Sequence, residues 1–196
     1  NCMQNQSWSQ GSDIWRDLNE ILPKNGGILL NLAVCLSHSG SHEDAIEIYN
    51  QADKLLPLNP DIAYSQGLNY EYIKNYEQAI LAFKRCLKIN KNNQDAWIKT
   101  ALCHRRLQDP ETAVGIYKYL LTNFENKIEY VLELASALFE FKKFDEAEDI
   151  LKQIIENQND NEIAKKILAR VYHNTGRKEE AIELEKEAEG SLTFTT

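Results

Sequence analysis

The sequence predicts an all-α chain: five stacked helix-turn-helix repeats on a thirty-four-residue period, with an extra helix at the N-terminus. Three observations carry this. Ala45, Ala79, Ala113, Ala147 and Ala181 recur at one constant interval, the period itself. A second register of small residues, Ala33, Gly67, Ala101, Ala135 and Ala169, keeps the same interval. Gly and Pro number only 8 and 4, which suits helices rather than the many tight turns of a β fold.

Large residues follow the small ones. Tyr49, Phe83, Tyr117 and Leu151 stand four residues after the first four alanines. Leu36, Tyr70, His104, Leu138 and Tyr172 stand three residues after the second register. Spacings of i, i+3 and i+4 put these residues on one helix face. A small side chain at a helix crossing lets the axes approach to about 8–10 Å. The larger residue one turn away fills the wedge beside it.

Breakers separate the two helices of each unit: Gly40, Lys74-Asn75, Asp109-Pro110, Lys142-Lys143 and Gly176. Pro57 to Pro60, Asn90 to Asn93, Asn123 to Asn126 and Asn157 to Asn161 separate the units. Asp61, Asp95 and Asp160 stand near helix starts, where a carboxylate suits the dipole. Helices of about 12–14 residues are marginal alone, so their stability must come from stacking. The expected divisions are 1–25, 26–59, 60–93, 94–127, 128–161 and 162–190, with a frayed tail at 191–196.

The ends depart from the pattern. One period before Ala45 lies Gly11, with Trp15, Leu18 and Pro23 on the following registers. Ser9–Leu22 is expected to be a helix covering the first repeat, either a remnant of an earlier unit or an unrelated cap, with Trp15 mostly buried. The last helix, from Lys178 to Glu189, is rich in Glu and Lys and is expected to cap the array with a polar face.

The formal net charge is −8, which disfavours nucleic acid and anionic membrane as partners. No run of apolar residues is long enough for a membrane span. The four Cys form no CxxC pair and have no His at metal-ligand spacing, so they read as reduced thiols of a cytoplasmic protein. His38, His42, His104 and His173 form no catalytic arrangement with Ser or Asp, and no phosphate loop or HExxH motif is present. The expectation is no enzyme activity, no cofactor and no metal. The alternative is a regulatory or substrate-recruiting domain of an enzyme whose catalytic part lies outside this chain.

Over residues 26–195 the pattern resembles the tetratricopeptide repeat, W-x2-L-G-x2-Y, then A-x3-F, then P. Leu29, Leu32, Ala33, Leu36, Ala45, Tyr49 and Pro57 carry it in the first repeat. Ala63 and Gln66 break it in the second, and Lys165 and Glu185 in the fifth. The resemblance implies a right-handed α-α superhelical solenoid that binds protein segments in a groove lined by the first helix of each repeat. By register the groove residues are Tyr64, Leu68, Tyr72, Lys99, Arg105, Arg106, Phe139, Lys166, Arg170 and His173. Cations and aromatic rings in an acidic protein suggest a partner segment with acidic and apolar residues. Self-association through the end repeats stays open. Two uses known in the family are not matched. The carboxylate clamp falls on Leu30, Val34, Ser65, Asp95 and Lys99, and the asparagine ladder on Asn31, Ser65, Lys99, Glu133 and Ile167.

Overall fold

The computed structural model describes residues 2–124 and 127–190, with side chains described from residue 7 to 189 within those bounds. Among the described residues there are eleven helices and no strand. They are α1 (Cys2–Ile21), α2 (Gly26–Ser39), α3 (His42–Leu55), α4 (Pro60–Tyr72), α5 (Tyr76–Ile89), α6 (Gln94–Arg106), α7 (Pro110–Asn123), α8 (Ile128–Glu140), α9 (Phe144–Asn157), α10 (Glu162–Thr175) and α11 (Lys178–Gly190). The chain forms two compact units, one running to Leu107 and the other from Gln108. In the first, α1 to α6 pack each on the next; in the second, α7 to α11 do the same.

Asparagine starts most of the first helices. Asn25, Asn59, Asn93 and Asn161 are N-caps whose side chains accept from backbone N–H groups of the first turn. They stand on one register of the repeat. The remaining position on that register is Lys127, which caps α8 without a side-chain bond. The aspartates expected near these starts play a lesser part: Asp61 and Asp95 lie in the first turn, and Asp160 precedes the cap.

The turns inside the helix pairs share a second register. Gly40, Lys74, Gln108, Lys142 and Gly176 all have left-handed backbones, with φ of 92°, 62°, 60°, 59° and 84°. In four of these turns the next residue donates back into the helix just ended: Ser41 to Leu36, Asn75 to Tyr70, Lys143 to Leu138 and Arg177 to Tyr172, each at 2.9 Å. Such a reversal satisfies helix-end carbonyls and brings the second helix back along the first.

Small residues sit under large ones. Ala45, Ala79, Ala113, Ala147 and Ala181 are fully buried, as are Phe83, Tyr117 and Leu151. Gly67 shows how close the approach is, because a Cβ built there would collide with the Phe83 ring. At Gly11 of α1 a Cβ would come within 3.1 Å of the Cys35 sulfur. Trp15 is half-buried and packs against the core of α2 and α3. The helix bearing it starts earlier than the expected Ser9, since nothing among the polar residues before Gly11 breaks a helix. The expected tail, 191–196, lies outside the described residues.

The buried polar side chains include Gln66 and Lys165, each bonded to a neighbouring helix. Gln66, 3% exposed, donates to Asn50 Oδ1 at 2.8 Å and accepts from Arg85. Arg85 also donates to Asp53 at 2.8 Å, so α3, α4 and α5 are tied together beside a cleft of about 220 Å³. Lys165, 6% exposed, reaches Glu187 of α11 at 2.9 Å. Its register holds Leu29, Ala63, Trp97 and Val131 in the other repeats.

Gly67→Ala is expected to lower the unfolding free energy by about 1–3 kcal/mol, because the added methyl overpacks a rigid ring. Gly115 lies within α7 with nothing within 4 Å of its would-be Cβ. Gly115→Ala is expected to raise stability by about 0.5–1 kcal/mol through backbone entropy alone. Urea melts of the two variants check this, and a neutral Gly67→Ala would remove the close-approach account. In the same assay Lys127→Asn is expected to add about 1 kcal/mol by restoring the missing cap.

Candidate partner-binding faces

The first helices of the repeats carry the residues expected to bind. Tyr64, Leu68, Tyr72, Lys99, Arg105 and Arg106 lie in the first unit, on α4 and α6. Phe139, Lys166, Arg170 and His173 lie in the second, on α8 and α10.

In the first unit Tyr64 and Leu68 are half-buried and pack against the core around Phe83. The Tyr64 ring is 5.6 Å from that of Phe83. Burial, with Asp95, Glu71 and Cys86 nearby, pushes its hydroxyl pKa up to about 12, so it stays neutral. Lys99 is tied to Glu71 at 2.9 Å, which removes it as an open cation. Arg105 is half-buried and Arg106 exposed.

Tyr72, by contrast, is 72% exposed. The His42 ring lies against it, with centroids 3.8 Å apart. His42 is held by Asn69: Asn69 Nδ2 donates to the Ser65 carbonyl at 2.8 Å, leaving Oδ1 to accept from His42 Nδ1 at 2.9 Å. A second ring pair stands at the end of α2, where Trp8 of α1 stacks on His38 at 4.5 Å. Sequence reasoning missed Trp8 and His42 because both belong to neighbouring helices. The only signal was that His38, Tyr72 and Arg106 share a register.

In the second unit Arg170 lies over the half-buried Phe139 ring, 4.6 Å from its centroid. Lys166 pairs with Glu162 at 3.3 Å and His173 with Glu185 at 3.1 Å. Here too the expected groove residues have partners. A cleft of about 310 Å³ lies between α8 and α9, lined by Ile128, Val131, Ile150 and Ile154 with three amide side chains. At the turn into α11, Arg177 donates to both carboxylate oxygens of Glu148, at 2.8 and 2.9 Å, and lies 3.8 Å over the Tyr172 ring.

The remaining groups offer little chemistry. Among the described residues no group of three or more His, Cys, Asp or Glu could hold a metal ion, and no helix is long and apolar enough to cross a membrane. Cys35, Cys86 and Cys103 are free and buried. Burial, with Glu71 adding and Lys99 opposing, pushes the Cys103 thiol up to about 12, which keeps it from being a nucleophile.

Comparison with known proteins places this geometry. The family profile for the anaphase-promoting complex, cyclosome, subunit 3 matches residues 73–154. Tetratricopeptide repeat profiles match residues 138–188 and 27–57. No curated protein matches the sequence. Among solved structures, YrrB, titled a TPR protein with an unusual peptide-binding site, is 20% identical with a TM-score of 0.72, covering 94% of this chain and 95% of its own. MamA from Desulfovibrio magneticus RS-1 is 12% identical with a TM-score of 0.76, covering 87% and 96%. A tetratricopeptide repeat protein from Parabacteroides merdae is 18% identical with a TM-score of 0.73, covering 96% and 80%. The fold shared with them is the all-α repeat solenoid expected from the sequence.

The Glu148 carboxyl generates a pH prediction. Burial pushes it up, but the bonds from Lys152 and Arg177 outweigh this and hold it below the ordinary 4.5. A folded-state pKa that is lowered stabilises above the ordinary carboxylate range, and the contribution is lost as pH falls through the folded value. The thermal midpoint is therefore expected to fall between about pH 5 and pH 3. Glu148→Gln is expected to start lower at neutral pH and to fall less steeply. Parallel slopes for the two proteins would exclude this role for Glu148.

Proposed function

The chain belongs to the tetratricopeptide repeat family, and on that premise we propose that it is a protein-binding module within a larger assembly. It takes a partner segment along the first helices of its repeats. Proteins of this fold generally mediate protein–protein interaction. The observation that carries the reading is the end of the first unit's groove helices, where an exposed ring, Tyr72, and an exposed cation, Arg106, stand in a protein of net charge −8. Aromatic and Arg residues dominate binding hot spots, and a cation in an acidic protein favours an acidic partner.

Two comparisons support this. YrrB is a TPR protein with an unusual peptide-binding site. The profile matching residues 73–154 is that of a subunit of a multiprotein complex. Three buried thiols, Cys35, Cys86 and Cys103, fit a reducing cytoplasm.

Affinity capture from the native source, with mass spectrometry, tests the reading. The wild type is compared with a chain carrying Arg105→Glu and Arg106→Glu. The reversal is expected to deplete the captured partner by roughly tenfold or more while the helical circular dichroism signal persists. Unchanged capture would remove the groove from the function.

A further inference from the structure

We propose that the first unit binds an acidic, proline-rich partner segment in the polyproline II conformation, along a strip of rings and cations at the ends of α2, α4 and α6. The proposal rests on the protein-binding reading and adds the partner's conformation and composition.

The strip is built by the repeat. His38, Tyr72 and Arg106 occupy one register on successive first helices, each a full period after the last. The two aromatic layers are each a pair of rings: Trp8 on His38, at 4.5 Å and 19° between planes, and Tyr72 against His42, at 3.8 Å and 32°. Trp8 and Tyr72 remain 37% and 72% exposed. His42 is fixed by its bond to Asn69, itself 2% exposed, so the Tyr72 platform is ordered before any partner arrives. A pre-ordered ring loses little side-chain entropy on binding.

Spacing selects the ligand's conformation. α2 and α4 touch directly, and packed helices lie about 8–10 Å apart. A polyproline II segment advances about 3.1 Å per residue, so prolines three apart are separated by about 9 Å, one layer of the repeat. A helix brings a face back at about 5.4 Å or, over two turns, about 10.8 Å, and a strand at about 6.7 Å; these fall outside the layer range, and the polyproline step falls within it. Aromatic platforms are also the surfaces that proline-rich segments use elsewhere.

Charge selects the third position. The residue three places beyond the second proline reaches the layer of Arg106, which is exposed. Glu71, the carboxylate beside Tyr72, is held by Lys99 and does not repel an acidic ligand at full strength. The recognised pattern is proline, two residues, proline, two residues, then Asp or Glu.

The test titrates the full chain into fluorescein-labelled peptides and reads anisotropy. The first peptide, Pro-Pro-Ser-Pro-Pro-Ser-Glu, carries the pattern. A Gly-Ser-Ser-Gly-Ser-Ser-Glu peptide of equal charge, a neutral Pro-Pro-Ser-Pro-Pro-Ser-Ser peptide and a helical Leu- and Glu-rich peptide accompany it. The first peptide is expected to bind best. Tyr72→Ala is expected to weaken it by roughly tenfold or more, with Tyr72→Phe behaving as wild type. Arg106→Glu is expected to weaken the first peptide and leave the neutral proline peptide unchanged. Circular dichroism confirms that each variant is folded. Binding no better than the Gly-Ser-Ser peptide of equal charge, absent binding, or indifference to Tyr72→Ala overturns the proposal. Binding of the helical peptide alone, lost on reversing Arg105 and Arg106, overturns it while leaving the protein-binding reading intact. Failure of every peptide together with capture insensitive to that reversal overturns both.

Discussion

The contact between the α-carbon of Gly67 and the ring of Phe83 leaves no room for a methyl group, and that closeness sets the scale of the surrounding structure. Helices this short cannot persist alone, so each depends on the face of its neighbour. The face works only if one partner is small where the other is large. Ala79 and Phe83 on α5 meet this need, as do Ala45 and Tyr49 on α3 and Ala147 and Leu151 on α9. Exposed positions on the same helices are released from packing and are available for recognition. Tyr72 is exposed because Tyr64 and Leu68, on the same helix, already serve the core.

Much of the fold was legible because the packing recurs in every repeat, and a repeated constraint leaves a repeated letter. The alanines and the aromatic residues following them were readable for this reason. The backbone registers were harder. Left-handed turn residues at Gly40 and Gly176 announce themselves, but Lys74, Gln108 and Lys142 adopt the same backbone without the residue type that signals it. The caps were concealed differently. Asn25, Asn59, Asn93 and Asn161 sit among so many other asparagines that their register is not distinctive, and the nearby aspartates present a competing cap signal.

The site was less legible than the fold, for a physical reason. Whether a cation is available depends on what faces it from the next repeat, and that partner lies at a separation fixed by how the layers stack. Glu71 meets Lys99, and Lys118 meets Glu146, each 28 residues apart. Arg170 meets Phe139 across a similar interval. A register derived within one repeat places these residues on the right helices but does not show that they are occupied. The same blindness hid the ring pairs, since Trp8 and His42 come from helices flanking the expected groove. Among the first unit's expected residues, Tyr72 and Arg106 are the ones whose exposure survived folding.

The buried ammonium group of Lys165, paired with the half-exposed Glu187, gives the packing of α11 on α10 a character of its own. Where Arg85 meets Asp53 and Lys99 meets Glu71, the charges lie toward the surface, over a seam that is apolar beneath. Peeling α11 away would strand an ammonium group in a slot otherwise suited to hydrocarbon, while its carboxylate partner, half open to water, remains within reach of counter-ions. The packing of α11 on α10 therefore responds to the ionic medium, through an electrical latch on a seam that also closes by shape.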